Sequence, residues 1–261
     1  MKKIAVITGD IHHLPDHIKR VFYGTLRFPA DHELKAAYKY AKILYELSIP
    51  CTLFITGVLV NKFADRIKQL IALKNIEIGP HTYYAFRGPL YGYTTLISAY
   101  SKFFGCPYGP KIIIRHDVFR VIHAFRKLGI EPKVWRTHGY CGTTYLYKLL
   151  SKLGFKIVSD CISNTFKIFK YYTMVHICIN MPTDEILSQL SQHERRIWYQ
   201  KYMRRLKLKS ENKEPLVLQL HPVNMILDNF EFFIDILRLL KRLGYNFMKL
   251  SEIPQHLGIR I

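Results

Sequence analysis

The chain opens with a short apolar run, Ile4 to Ile7, that leads into three ionisable side chains, Asp10, His12 and His13. A run of this kind, ended abruptly by polar groups, is typical of a buried strand in a parallel sheet. In α/β proteins, functional groups collect at the carboxyl ends of such strands. Asp10 and His12 are two residues apart and point to the same side of an extended backbone, while His13 points away unless the chain turns there. A strand that ends in an ordinary polar loop has the same local pattern, so the rest of the chain must decide between these interpretations.

Strand and helix patterns alternate along the remaining sequence. Further strands are predicted at residues 51–56, 76–79, 133–136, 156–160, 175–179, 216–221 and 247–250. Helices are predicted at 32–48 with Asp31 as N-cap, at 61–73, 114–128, 144–153 and 230–243, with a loop at 16–30 and a short helix near 94–104. This order favours parallel strands joined by crossover helices. We predict an α/β fold, an irregular (β/α)7-8 barrel of parallel strands, as a single domain over residues 1–261 with a basic helical insertion at about 183–214.

Five predicted strands end in an ionisable side chain. These side chains are Asp10, His81, Arg136, Asp160 and His221. Five independent surface loops do not explain this repetition well, whereas the carboxyl edge of one parallel barrel does. The sequence therefore predicts a single site where these side chains meet.

Composition limits the class of protein. The chain has 261 residues, of which 49% are hydrophobic, as in ordinary globular proteins. It has no apolar run of the roughly 18 residues that a membrane span needs, and no signal peptide is evident, so we expect the cytoplasm. The five cysteines are scattered without a CxxC pair. They are interpreted as free, mostly buried thiols, which argues against a disulfide framework or a cysteine zinc site.

The formal net charge of +20 is large, and part of it is concentrated in the segment 193–213. The aromatic residues of this segment recur at helical spacing, which favours docking of a helix on the barrel over stacking on bases. Its charges form either a solvated face or an anion-binding surface for nucleic acid, acidic polysaccharide or membrane.

Four short motifs, taken together in this order, carry a resemblance to a known family. They are Thr8-Gly9-Asp10-Ile11-His12, Glu77-Ile78-Gly79-Pro80-His81-Thr82, Trp135-Arg136-Thr137-His138-Gly139-Tyr140 and Leu218-Gln219-Leu220-His221-Pro222. Over almost the whole chain, from Ile4 to about Leu257, the sequence resembles the polysaccharide deacetylase (NodB homology) family and looks like a divergent member of it.

The resemblance implies a reaction and a cofactor. Members of the family hydrolyse N-acetyl groups, and sometimes O-acetyl groups, on glycans with one divalent metal ion, here expected to be zinc. It implies that His12 and His81 are metal ligands, with His13 as a further candidate. The expected substrate is an N-acylated sugar or another small amide.

The resemblance also implies catalytic roles. Asp10 is expected to be the general base that takes a proton from the attacking water, and Arg136 to orient it. His221 is expected to be the acid that protonates the departing amine, with Asp160 supporting it. The residues expected to contact substrate are His138, Tyr140 and Tyr83.

The sequence departs from the family pattern at the second motif. Ala85 stands where the family has another histidine ligand. A metal site then requires that His13 turns inward, that Asp10 itself ligates, or that His138 reaches across; three neutral imidazoles make a plausible zinc site. The alternatives are a catalytically silent or metal-independent relative that binds carbohydrate, and a basic anion-binding or nucleic-acid-binding protein that uses residues 193–213.

Overall fold

The computed structural model of the chain describes residues 3–12, 32–85 and 109–260. Some predictions concern residues outside these ranges: His13, the loop at 16–30, the N-cap Asp31, Cys106 and the helix near 94–104. They stay predictions, as does the division of the chain into one domain.

The strands of the described residues form two sheets. Their bounds are β1 (Ile4–Ile11), β2 (Cys51–Ile55), β3 (Ile76–Pro80), β4 (Val134–Trp135), β5 (Ile157–Val158), β6 (Ile168–Tyr171), β7 (Met174–Ile177), β8 (Leu216–Leu220) and β9 (Asn246–Phe247). The first sheet has the order β3-β2-β1-β8, and β9 pairs with the beginning of β1; the second has the order β4-β5-β7-β6. All pairs are parallel except the β6–β7 hairpin.

Single main-chain hydrogen bonds join the two sheets on both sides. Between β3 and β4, Arg136 N donates to Pro80 O over 3.2 Å, and beyond the end of β7, Asn180 N donates to Val217 O of β8 over 3.2 Å. The circuit β1-β2-β3-β4-β5-β7-β8 therefore returns to β1. This confirms the predicted irregular α/β barrel of parallel strands.

Side chains alternate between the barrel interior and the helix layer with a period of two. One core cluster fills the interior with residues from both sheets: Ile4, Val6, Phe54, Val134, Ile157, Val175, Ile177 and Val217. The neighbours of these residues in sequence belong to a second cluster shared with the helices: Ala5, Ile7, Leu53, Ile55, Trp135, Val158, Leu216 and Leu218. Counting on by two from Val6 along β1 leads to Asp10 and then His12. The alternation that fills the core therefore also delivers polar side chains to one end of the barrel.

The helices pack their apolar faces on the outside of the strands. They are α1 (His32–Glu46), α2 (Gly57–Lys62), α3 (Ala64–Ile71), α4 (Lys111–Arg126), α5 (Thr144–Lys152), α6 (Gln192–Glu211), α7 (Glu231–Arg242) and α8 (Ile253–His256). α7, for example, buries Phe233, Ile236 and Leu240 completely. Within the described ranges, no helix combines the length and the apolar character that crossing a bilayer requires.

Three elements differ from the sequence prediction. The helix predicted at 61–73 is two helices, since the backbone at Phe63 leaves the helical conformation (φ −132°, ψ 46°). The strand predicted at 247–250 ends at Phe247, and Leu250–Glu252 forms a 3₁₀ turn. β6 was not predicted, because only four residues form it and its outer face is exposed, so it lacks the apolar pattern of a buried strand.

The prediction that all cysteines are free thiols is wrong for Cys161 and Cys178, which form a disulfide. A parallel bridge between Ile162 and Ile179 brings the segment after β5 beside the segment after β7, and this places the two cysteines together. They lie 17 positions apart in sequence, so no short motif marks the pair. Cys51 and Cys141 are not part of a disulfide.

We expect thiol titration of the unfolded protein to detect two more thiols after reduction than before, since the disulfide is the only one among the described cysteines. The Cys161→Ser/Cys178→Ser double variant is the control and should give the same count in both states. An equal count for the wild-type protein would contradict the pairing.

The contact between the two sheets leaves no room for a side chain at Gly79 of β3. A Cβ atom there would lie 2.6 Å from Val134 Cγ2 and 2.7 Å from Val134 O, and the carbonyl belongs to the backbone of β4. We expect Gly79→Ala to lower the free energy of unfolding by about 1–3 kcal/mol, as overpacking of a core does. Urea unfolding measures this, with Lys62→Ala on the exposed side of α2 as the control. A Gly79→Ala protein as stable as the wild type would show that the two sheets separate easily at this point.

Candidate metal and catalytic site

Three histidines meet at the carboxyl end of the barrel. His12 Nε2 lies 2.9 Å from His81 Nε2 and 3.2 Å from His138 Nδ1, and the last two atoms lie 3.3 Å apart. They come from the ends of β1, β3 and β4. His12 and His138 lie an even number of residues after Val6 and Val134 of the interior cluster, so they point inward as well. His81 lies two residues after Gly79, where a Cβ atom would meet Val134. This histidine cluster is the group of described residues that can hold a metal ion.

The orientation of His81 suits a metal ligand. Its Nδ1–H donates to Arg136 O over 3.0 Å, which leaves a lone pair on Nε2 facing the other two rings. Burial lowers the pKa of His81 to about 4, so this imidazole is neutral at pH 7. In a tetrahedral zinc site with Zn–N bonds of about 2.0–2.1 Å, ligand nitrogens lie about 3.3 Å apart. The spacing of the three ring nitrogens is close to this value, so the residues fit such an ion.

The positions of His138 and Ala85 explain how three imidazoles meet although one histidine of the family pattern is missing. Ala85 is buried and offers no ligand atom, and His138 instead completes the set of three imidazoles. Of the three alternatives raised by the sequence, the structure therefore favours a His138 that reaches across. The sequence contained a signal for this, because His138 follows Arg136 by two residues and so shares its inward direction.

Asp10 faces the same space and forms a buried ion pair. Arg136 Nη1 donates to Asp10 Oδ1 over 2.7 Å, and Gln219 Nε2 donates to Asp10 Oδ2 over 3.2 Å. Burial by itself raises the pKa of Asp10, but the charges of Arg136, His81 and His221 and the hydrogen bond from Arg136 together outweigh it, and the pKa lies below its ordinary value. Asp10 is therefore an ionised carboxylate.

Arg136 is held from every side, with none of its side chain exposed. It donates to Thr8 Oγ1 over 2.9 Å, to Ser159 O over 3.1 Å and to Ser159 Oγ over 2.8 Å. Its guanidinium carbon lies 4.3 Å from the centre of the Phe54 ring. These contacts fix the position from which it binds Asp10.

His221, at the end of β8, is paired with a carboxylate that the sequence analysis did not single out. Its Nδ1–H donates to Asp184 Oδ1 over 2.6 Å, and its main-chain N–H donates to Asp184 Oδ2 over 2.8 Å. Burial alone would lower the pKa of His221, yet Asp184 raises it to about 9. The centre of the His221 ring lies 5.0 Å from the centre of the His12 ring. His221 is therefore a cationic acid beside the histidine cluster.

The expected contact between Asp160 and His221 is absent, and Asp184 takes that place. Asp160 accepts hydrogen bonds from the main-chain N–H and the hydroxyl of Thr137. The reason is the alternation along β5: Ile157 points into the barrel, so Asp160, three residues on, points toward the helix layer. Burial raises the pKa of Asp160 to about 6 despite the hydrogen bonds from Thr137.

A cavity of about 360 Å³ opens over these groups. Its described lining includes Asp10, the three histidines of the cluster and His221, together with Glu33, Gly139, Tyr140, Glu185, Ser188, Gln189, Val223 and Asn224. Tyr140 thus lies where substrate contact was expected, and its buried hydroxyl has no hydrogen-bond partner among the described residues. Tyr83 does not line the cavity, since it packs under Arg120, whose guanidinium carbon is 4.1 Å from the ring centre, and accepts a hydrogen bond from Asn61.

Comparisons with known proteins identify the fold. A scan against sequence models of protein families gives no match, and a search of curated protein sequences gives none either. Among solved structures, the chain is similar to a putative polysaccharide deacetylase from Mycobacterium smegmatis, with 16% identity, a TM-score of 0.67 and coverage of 99% of this chain and 92% of the other. It is also similar to PuuE allantoinase, with 14% identity, a TM-score of 0.65 and coverage of 98% and 91%. A wild-type CE4 family pseudoenzyme from Bacillus anthracis matches with 13% identity, a TM-score of 0.58 and coverage of 96% and 65%.

The fold and the site define a class. This chain is an α/β barrel whose strand ends bring together a histidine cluster that can hold a metal, a buried Asp–Arg pair and a His–Asp pair. Its fold is that of the polysaccharide deacetylases, and the resemblance drawn from the four sequence motifs is confirmed at that level.

Proposed function

We propose that this protein is a metal-dependent hydrolase that removes N-acetyl or similar acyl groups from a sugar. One observation carries the proposal: the histidine cluster, Asp10 and His221 line the same cavity, with Arg136 bound to Asp10 and Asp184 bound to His221 behind it. Amide hydrolysis needs an activated water, a base to take its proton and an acid for the departing amine. Each of these requirements has a matching group here.

The cofactor is proposed to be one zinc ion held by His12, His81 and His138. This assignment moves His138 from the substrate contacts, where the sequence placed it, to the ligands. A bound zinc ion would polarise the acyl carbonyl and lower the pKa of a water molecule toward about 7. Neutral imidazoles are the ligands that zinc favours.

Asp10 is proposed to be the general base. Arg136 keeps this carboxylate ionised, so it is free to accept a proton when the attacking water loses one. Proton transfer at that point of the reaction is how a general base raises the rate. Arg136 and Gln219 each bind one carboxylate oxygen, so the carboxylate is fixed in one orientation.

His221 is proposed to donate the proton to the departing amine. With a pKa of about 9 it carries that proton at neutral pH, and Asp184 stabilises the imidazolium and holds its Nε2 toward the cavity. Tyr140, whose hydroxyl has no partner among the described residues, is proposed to donate a hydrogen bond to substrate.

Metal analysis combined with acetate release tests the function. The purified protein should contain about one zinc ion per chain and release acetate from N-acetylglucosamine oligomers. Removal of the metal with a chelator should abolish release, and added Zn²⁺ should restore it. A protein that binds no divalent metal, together with unchanged activity of Asp10→Asn, would overturn the proposal.

A second candidate is a relative that binds carbohydrate without turnover. The observation that favours it is Ala85, which removes one expected ligand, and one of the similar structures is described as a pseudoenzyme. Glycan binding with no acetate release from any N-acetylated oligomer, in protein loaded with metal, would support this candidate over the first.

The cytoplasm is the proposed location. Disulfides are rare in that compartment except in hyperthermophiles, and the Cys161–Cys178 bond is compatible with a cytoplasm of that type. Detection of the protein outside the cell would contradict this assignment.

A further inference from the structure

The outer side of α6 carries a row of cations, and we define the basic face as Arg196, Lys201, Arg204 and Lys207. All four side chains are exposed. None of them forms a hydrogen bond or an ion pair with another described residue, unlike Lys209 of the same helix, which pairs with Glu214 at 3.0 Å. The formal charge of the chain is +20, so the field around this face is not neutralised by the rest of the protein.

The helix presents these cations on a rigid support. Its inner side buries Tyr202 and Leu206, and the Tyr199 ring stacks on Phe232 with centroids 3.9 Å apart. A capping box, in which Ser191 and Glu194 bond each other's main-chain N–H groups, fixes its first turn. Arg196 and Lys207 are separated by about 16 Å along the helix axis, since each residue adds about 1.5 Å. The basic face is therefore a fixed linear array of charges.

Of the three classes of polyanion, membranes and nucleic acid in its single-stranded form fit this face poorly. Binding of single-stranded nucleic acid relies on exposed aromatic rings, and the aromatic residues of α6 are turned inward against α7. A helix that lies on a membrane buries an apolar face in lipid, whereas the apolar face of α6 is used to pack on the barrel. Ile197 and Leu208 are the exposed aliphatic side chains of this helix, and two separate side chains do not form such a face.

The position of the basic face relative to the cavity favours the third class. Ser188 and Gln189, four and three residues before the first residue of α6, line the cavity, so the helix begins close to its rim. Across a groove from Arg195 and Arg196 lie the carboxylates of Glu231 and Asp235. An anionic chain that leaves the cavity therefore meets favourable charge on the outer side of α6 and repulsion on the side of α7.

From these observations we infer that the substrate is an acidic polysaccharide, whose N-acetylated sugar occupies the cavity while carboxylates farther along the chain bind the basic face. The part of the inference that concerns the cavity rests on the proposed function; the binding of an acidic glycan by α6 does not. Because the contacts are exposed, the affinity depends on salt, with screening over about 8 Å at physiological ionic strength.

Binding measurements on two charge-matched variants test this inference. One replaces the basic face (Arg196→Gln, Lys201→Gln, Arg204→Gln, Lys207→Gln), and the control replaces four exposed lysines elsewhere (Lys62→Gln, Lys127→Gln, Lys148→Gln, Lys152→Gln). Each removes four of the 20 net positive charges. The probes are hyaluronan decasaccharide, in which N-acetylglucosamine alternates with glucuronate, and the neutral N-acetylglucosamine hexamer.

We expect the wild-type protein to bind the acidic probe more tightly than the neutral one, and to lose this preference in 0.5 M NaCl. The basic-face variant should bind the acidic probe at least tenfold more weakly, with its affinity for the neutral hexamer unchanged, and the control should match the wild type. Equal losses in both variants, or no preference for the acidic probe, would overturn the inference. So would tighter binding to phosphatidylglycerol vesicles or to poly(U) through the same residues.

Acetate release from the neutral hexamer separates this inference from the proposed function. If no variant releases acetate but the basic face still governs binding of the acidic probe, the hydrolase proposal fails and the glycan surface remains. If acetate is released equally from all variants and the basic face has no effect on binding, the hydrolase proposal stands and this inference fails.

Discussion

His138→Ala should bind zinc at least about 100-fold more weakly than the wild type and lose catalytic activity by a similar factor. Removing a group that only orients a zinc ligand typically costs about 10–100-fold, and His138 is proposed to be a ligand itself. The ring nitrogen lies 3.2 Å and 3.3 Å from those of His12 and His81, so its loss leaves two imidazoles. Titration with zinc against a competing chelator measures the affinity.

The matched control for this variant is His256→Ala, which removes an exposed imidazole from α8. It should bind zinc and release acetate like the wild type. Full zinc affinity in His138→Ala would return His138 to the group of substrate contacts and reopen the question of the third ligand.

Asp184→Asn should shift the alkaline limb of the pH–rate profile to lower pH by more than two units. In the wild type, Asp184 raises the pKa of His221 to about 9, so the proton-donating form persists up to that pH. Without that carboxylate, only Asp10 and Glu185 oppose the lowering of the His221 pKa by burial, and we expect the pKa to fall to about its ordinary value of 6.5. About 3% of the imidazole is then protonated at pH 8, and the rate there should fall about 30-fold.

The same variant separates an electrostatic effect from a structural one. At pH 5.5, where His221 is largely protonated even with an ordinary pKa, the rate of Asp184→Asn should approach that of the wild type. A loss of equal size at pH 5.5 and pH 8 would mean that Asp184 serves only to position the loop before α6. Asp160→Asn is the comparison, because Asp160 binds Thr137 and should leave the alkaline limb in place.

The period of two along each strand separates what the sequence predicted from what it missed. Once β1 was assigned, Asp10 and His12 had to point to the same side of the strand. Val6, an even number of residues before both, lies in the interior cluster, so that side is the barrel interior. The same count assigns His138 to the inside and Asp160 to the outside. The family pattern led us to place Asp160 beside His221 instead, and to expect His138 as a substrate contact as well as a possible ligand.

Other features had no local signal in the sequence. Asp184 lies in an irregular segment between β7 and α6, where no strand or helix period predicts its direction. Its contact with His221 spans 37 residues, and two sheets must first be brought together. The Cys161–Cys178 pair depends in the same way on a register between β5 and β7 that single-sequence patterns do not contain.

Arg136 serves two groups through different parts of the residue. Its main-chain carbonyl orients His81, and its guanidinium binds Asp10. Under the proposed function, a substitution of the side chain therefore disables proton transfer, while His81 keeps the hydrogen bond that orients it. For a hydrolase of the proposed kind, one mutational step at Arg136 would end turnover without removing a metal ligand, so a descendant of such a chain could continue as a sugar-binding protein.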